Sequence, residues 1–349
     1  MPKRKGVLIG RFQGYHYSHH ELLRKAALDN DLLVVIIGSR NSRVSIKNPF
    51  TAEQRIAMIE RNIKDDPELN SCRIVFRAVN DHPDNKVWES SVKFYVRDFG
   101  GEDQHTTLYG CDKDMSTFYL HMFPEWKKCL IESDVEFNAT DLRKVWFGSD
   151  QIVDNMLGHK FIPNATIDYL YRLPYNENLQ GEWEYYQKEK ILFSNYPFPE
   201  TLTFCCGDAV VICRDHVLMI RRKNNPGKGC LALPGGFKNR NETFFDAAVR
   251  ELYEETGIEF DWIQLKYAIS GARMFDNPNR SIGIPRATFA VYFDITPWFS
   301  EEGFPNTKAA DDAAEVVWMP IKELISATNI YDDHAAIVIQ RPIPKEEAE

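Results

Sequence analysis

The sequence predicts an α/β domain built on a parallel sheet, followed by an α+β domain. Three observations carry that expectation. The 349 residues exceed the roughly 100–200 of one domain. In the first half, short apolar runs without alternation take turns with helix-spaced segments, the pattern of a parallel sheet covered by helices. Beyond about residue 200, strands alternate around turns such as Arg214-Asp215, with one long helix embedded among them.

In order, "KGVLIG" (5–10) reads as a buried strand, "HHELLRKAAL" (19–28) as a helix and "DLLVVIIGS" (31–39) as a second buried strand. "TAEQRIAMIERNI" (51–63) has helical spacing, with Thr51 placed to cap it after Pro49-Phe50. "CRIVFRAV", "SSVKFYVRDF" and "TTLYGC" continue as strand, helix and strand. Residues 173–200 hold three prolines and many polar and aromatic residues, and read as a linker with a short helix. The domains are therefore expected at 1–172 and 201–349.

Hydrophobic residues make up 44% of the chain, enough for globular cores. The net charge of −9 argues against a non-specific nucleic-acid binder, so no nucleic-acid partner is expected. A phosphorylated substrate must then be met by a few local cations or helix N-termini. The seven cysteines are scattered, as suits a reducing cytosol. "MPKRKGVLIGRF" has too short an apolar run for a signal peptide, and no run approaches the ~18 apolar residues of a membrane span. A cytoplasmic protein with no membrane partner is expected, and a homo-oligomer stays open.

"GRFQGYHYSHH" (10–20) follows the first strand directly and holds three of the nine histidines. A strand end that meets a helix N-terminus favours an anion through free N–H groups and the helix dipole. Imidazoles there donate hydrogen bonds to phosphoryl oxygens, and Arg11 adds a fixed fork. The residues alone fit a triphosphate cradle or surface histidines that cap a helix.

Gly10-Arg11-Phe12-Gln13, then His16-x-x-His19, resembles the HxGH signature of the nucleotidyltransferase superfamily, giving the first domain an expected Rossmann-like fold. Within it, the match is to the nicotinamide mononucleotide (NMN) adenylyltransferases that open "GRFQPxHxGH". Gly14 stands where that branch has proline and Ser18 where it has glycine. "NPFTAEQRIAMI" (48–59), "YGCDKDMSTFYLHMFPEW" (109–126) and "NATDLRKVW" (138–146) resemble further segments of the family in the same order. The resemblance implies adenylyl transfer from ATP to NMN. It gives Gly10, Arg11, Phe12, His16, His19, Thr140 and Arg143 to ATP, with His16, His19 and Arg143 catalytic. Asp81 and Trp88 are the expected NMN contacts, Trp88 by stacking on the cationic pyridinium. Trp88 fits core packing as well.

"GFKNRNETFFDAAVRELYEETGI" (236–258) fits the Nudix pattern G-x5-E-x7-R-E-U-x-E-E-x-G-U at every position. Glu251, Glu254 and Glu255 fall at i, i+3 and i+4 on one helix face, where they repel each other unless cations intervene. Such hard oxygen ligands call for Mg²⁺ or Mn²⁺. The resemblance implies an α+β Nudix hydrolase with Glu251, Glu254 and Glu255 catalytic and, with Gly236, metal-binding, and with Arg250 orienting a glutamate. "FDNPNRSIGIPRATFAVYF" (275–293) resembles a segment of ADP-ribose pyrophosphatases, with one expected arginine absent. It makes Arg280 and Arg286 ADP-ribose contacts and, with "ADDAAEVVWMP" (310–320), makes Glu315 a further metal ligand or base.

Together the halves resemble bifunctional NMN adenylyltransferase/Nudix hydrolases. One site would join NMN and ATP into NAD. The other would split ADP-ribose into AMP and ribose 5-phosphate. The alternatives are a re-targeted or decayed first domain, or an ADP-ribose sensor in place of a hydrolase.

Overall fold

The computed structural model describes the chain except for residues 1–3, 101–104, 112–114, 132–137, 149–159, 175, 199–200, 300–302 and 343–349. Residues 112–114, inside the third segment that resembles the adenylyltransferases, thus lie outside the described residues. The chain divides into two compact units, Met1–Asn176 and Glu177–Glu349.

The first unit is built on β1 (Lys5–Gly10), β2 (Leu32–Ile37), β3 (Arg73–Ala78), β4 (Thr106–Gly110) and β5 (Lys127–Leu130). Their order is β3-β2-β1-β4-β5, and every neighbouring pair is parallel. The unbroken apolar runs are explained by two cores. In β2, Leu33, Val35 and Ile37 enter one core and Leu32, Val34 and Ile36 the other. Helices α1 (Tyr17–Leu28) and α2 (Ala52–Lys64) supply the first core through Leu23, Ala26, Met58 and Ile59. Helix α3 (Asn85–Arg97) supplies the second through Val92 and Val96. Thr51 caps α2 in a reciprocal box with Gln54. The strand order reverses between β1 and β4, and in such sheets ligands bind beyond the strand C-termini at that crevice. Among the described residues, the helices α4 (Ala139–Gly148) and α5 (Asn164–Tyr171) follow.

The second unit opens with α6 (Glu177–Leu192), a 16-residue helix inside the stretch that reads from sequence as a linker with a short helix. Its buried stripe is Leu179, Glu182, Tyr186 and Glu189. Half of that stripe is acidic, so apolar periodicity does not announce its full length. The mixed sheet that follows runs β10 (Ile269–Phe275), β11 (Arg286–Asp294), β6 (Phe204–Cys213), β7 (His216–Arg222) and β12 (Ala313–Pro320). The short β8 (Leu231–Ala232) and β9 (Gly235–Phe237) pair with β7 and β6. Helix α7 (Phe244–Thr256) lies on β6, so close that a Cβ on Gly207 would meet Phe244 O at 2.9 Å. Thr243 starts α7 with a capping box, and Gly257 ends it in the left-handed region at φ 56°.

Two candidate nucleotide sites

The first site lies at the C-terminal end of β1. A Cβ on Gly10 would sit 2.8 Å from Phe12 Cζ, so glycine is what lets the ring fold back under the loop. Phe12 (φ 50°) and Gly14 (φ 104°) are both left-handed, and Gly14 N–H donates to Phe12 O at 2.9 Å. The Gln13 amide fastens the loop by exchanging two 3.1 Å bonds with the Phe50 backbone. His16 is the N-terminal flanking residue of α1 and is 4% exposed. Its ring stands 3.8 Å from that of His19, centroid to centroid. His19 packs on Phe12 and stacks on Tyr15. The third histidine faces elsewhere: His20 bonds Tyr15 Oη through Nδ1 and reaches Asp66 through Nε2.

Asn138 caps α4 by accepting from the Thr140 and Asp141 amides. Arg143, one turn on, donates to Gln13 O at 2.9 Å and to Thr140 Oγ1 at 2.9 Å. Thr140 thus orients Arg143. Burial, with the Arg11 guanidinium nearby, pulls Arg143 down to about 10, so it keeps its charge at neutral pH. Two cations that repel each other beside a helix N-terminus and two imidazoles make a place for a polyanion. Asp81 accepts from Ser39 N–H at 3.2 Å, and its backbone is clasped by Asn41. Trp88 packs edge-on against Tyr119 and leans on Phe123, at the border of the second core.

Gly14 carries a consequence opposite to the resemblance. A proline there would match the related sequences, but φ 104° is closed to a ring fixed near −65°. Gly14→Pro is expected to lower ATP- and NMN-dependent turnover more than about tenfold by displacing the loop. ADP-ribose hydrolysis, assayed in parallel, should not change.

The second site is gathered by Arg250. Its Nε and Nη2 hold Glu242 at 3.1 and 2.9 Å, its Nη1 holds Glu251 at 2.7 Å and Glu254 at 2.9 Å, and Nη2 also reaches Phe237 O. Arg250 therefore orients three glutamates. Glu255 is 3% exposed and accepts from Gly235 N–H at 3.1 Å. Burial, with Glu251 adding repulsion, pushes its carboxyl up to about 8. Burial also raises Glu251. A Cβ on Gly236 would meet Glu251 Oε1 at 2.3 Å, so only glycine lets the β9 backbone lie against that carboxylate.

Among the described residues, no three His, Cys, Asp or Glu side chains stand ready as a ligand set. The donor chemistry nonetheless fits a divalent cation: oxygen ligands short of positive charge, on one helix face, against a glycine backbone. Glu315 stands on β12. It takes a 2.8 Å bond from Arg221 Nε across the β7–β12 ladder, while Asp311 and Asp312 act on Glu251 and Glu255. Arg280 and Arg286 have their charges met within the fold, by Asp333 in a two-bond fork and by Glu189 of α6. Arg250→Met would leave half-buried Glu242 and Glu251 without their cation. It should cost about 1–3 kcal/mol, discounted for partial exposure, read as a lower Tm that millimolar Mn²⁺ partly restores.

Sequence reasoning missed Gln13 as a fastener, Arg55, and the acidic pair Asp311-Asp312. Gln13 stood in view inside "GRFQ"; nothing in spacing separates buried Arg55 from a solvent-facing arginine.

The fold and the two sites define a nucleotidyltransferase unit joined to a Nudix unit. The cytidylyltransferase-like family matches residues 7–98 and the NUDIX domain family residues 207–340. A bifunctional NMN adenylyltransferase/ADP ribose pyrophosphatase from Francisella tularensis, solved by crystallography, superposes with a TM-score of 0.82 at 30% identity, over 97% of this chain and 98% of that one. The chain belongs to this bifunctional family. The nicotinamide/nicotinic acid mononucleotide adenylyltransferase of Acinetobacter baylyi is 32% identical over 47% of this chain and 83% of its own length. The ADP-ribose pyrophosphatase of Methanocaldococcus jannaschii is 34% identical over 38% of this chain and 68% of its own. A second F. tularensis structure, at TM-score 0.81, is complexed with AMP and a manganese ion, which with the Nudix match points to a divalent cation.

Proposed function

We propose that this chain transfers the adenylyl group of ATP to NMN, giving NAD and pyrophosphate, and separately hydrolyses ADP-ribose to AMP and ribose 5-phosphate with Mg²⁺ or Mn²⁺. The observation that carries it is the coexistence of two residue sets in one chain: His16 against His19 beside Arg11 and Arg143, and the Arg250-gathered glutamates.

In the first reaction the NMN phosphate attacks the α-phosphorus and pyrophosphate leaves, so no protein nucleophile is needed. His16 and His19 donate to the phosphoryl oxygens as charge builds on them. Arg11, Arg143 and the amides opening α1 meet the leaving pyrophosphate. Asp81 and Trp88 receive the nicotinamide end. In the second reaction Arg250 sets Glu251 and Glu254, and Glu255 completes the acidic face with the Gly236 backbone. A divalent ion held there would supply positive charge for the diphosphate oxygens and make a neighbouring water more acidic.

ADP-ribose is preferred over NAD as the second substrate on economy: cleaving NAD would return NMN and AMP and undo the first reaction. Chromatography of products formed from equal amounts of the two compounds tests this. AMP and ribose 5-phosphate should dominate; faster release of NMN would overturn the assignment. The name of the A. baylyi relative covers both amide and acid mononucleotides. A comparison of NMN with nicotinate mononucleotide therefore belongs in the same assay.

A further inference from the structure

Arg55 is 1% exposed and among the largest fully buried side chains of the protein. It sits on the first turn of α2, and each hydrogen bond of its guanidinium ends on a backbone carbonyl: Arg11 O at 2.6 Å, Gly38 O at 2.7 Å, Ser39 O at 3.2 Å and Thr51 O at 3.2 Å. Burial pulls it down to about 10, so it stays charged at neutral pH. A buried cation without a carboxylate in bonding contact carries a desolvation penalty that backbone carbonyls alone must offset. Simple packing would be served better by an apolar side chain.

Three of the four carbonyls it holds follow the ends of two adjacent strands. Arg11 comes directly after β1 and opens the phosphate loop; Gly38 and Ser39 come directly after β2. Both segments contain a left-handed non-glycine residue, Phe12 at φ 50° and Ser39 at φ 53°. Such backbone persists only where its surroundings over-determine it. Ser39 is gripped from both sides, its carbonyl by Arg55 and its amide by Asp81. One rigid fork therefore spans from the ATP-side loop to the loop after β2, whose Ser39 amide holds Asp81.

We propose that Arg55 is a positioning residue that couples the two substrate loops, so that filling one side of the adenylyl-transfer site pre-forms the other. The proposal rests on the adenylyl-transfer reading and adds to it a linkage between the substrates. Arg55 touches neither of them. Ordering of residues 11–14 by ATP stiffens 38–41 through the shared fork, and ordering around Asp81 by NMN does the reverse. Coupling of this kind is reciprocal.

The test uses the full-length protein, NMN, and an ATP analogue with a methylene bridge between the α and β phosphorus atoms, which cannot donate its adenylyl group. Calorimetry gives the affinity for NMN with and without the analogue. Wild type should bind NMN at least about fivefold tighter with the analogue present. Arg55→Lys keeps the charge but loses the fork, and should bring that ratio close to one while lowering kcat. Unchanged ADP-ribose hydrolysis and a cooperative melt would report an intact chain. An unchanged ratio in Arg55→Lys, or a ratio of one in wild type, overturns the proposal. Should the variant not fold, hydrogen exchange on wild type decides: the analogue alone should protect both 11–14 and 38–41, and protection confined to 11–14 overturns the coupling. Failure of NMN to bind would instead sink the adenylyl-transfer reading, and the exchange experiment with the analogue alone still decides the coupling.

Discussion

His19→Ala will lower the turnover of NAD formation by about two to three orders of magnitude and leave ADP-ribose hydrolysis intact. The His19 ring is fixed by Phe12, Tyr15 and His16, so its position owes nothing to substrate. A pre-positioned donor aimed at developing phosphoryl charge is worth about 10²–10³ in kcat. His16 stays in place in the variant, as do Arg11 and Arg143, so binding should weaken far less than turnover. Steady-state kinetics with ATP and NMN reads the split. A loss confined to KM would mean that His19 binds the ground state only.

Glu254→Gln should do the converse: hydrolysis falls by about two orders of magnitude or more while NAD synthesis is untouched. Glu254 is the more exposed of the two carboxylates on Arg250 Nη1, its side chain 46% exposed against 12% for Glu251. Its amide analogue still accepts from Arg250, so α7 should stay in place. What changes is one negative charge on the face that must hold a divalent cation. The Mn²⁺ concentration for half-maximal activity should therefore rise together with the fall in rate. A variant that loses activity at unchanged Mn²⁺ dependence would remove Glu254 from the metal set. A variant that loses both reactions while folded would contradict the separation of the sites.

Strands β1, β2 and β4 of the first unit are legible because each is buried on both faces, and the run Leu32–Ile37 feeds two cores at once. The Nudix segment is legible because a helix face, a cap and a close backbone contact each demand a residue type at a fixed offset, as Gly236 and Gly257 illustrate. Partners chosen by the fold are not legible. Arg280 and Arg286 resemble substrate contacts, yet their charges are met by Asp333 and Glu189, 53 and 97 residues away. Glu315 faces Arg221 through strand register, and register follows from the whole sheet. The full length of α6, read from sequence only as a short helix, escapes apolar periodicity because Glu182 and Glu189 occupy its buried stripe. His20 shares the sequence neighbourhood of His16 and His19 but turns to Asp66, a helical direction that only the packed α1 reveals.

The most direct measurement is NAD formation by the purified protein from ATP, NMN and Mg²⁺, with ADP-ribose hydrolysis assayed in the same preparation. NAD and pyrophosphate appearing in equal amounts at enzymatic rates, beside AMP and ribose 5-phosphate from ADP-ribose, is the predicted result. Hydrolysis without any NAD would contradict it, and would leave the site of His16, His19 and Arg143 to another phosphorylated acceptor.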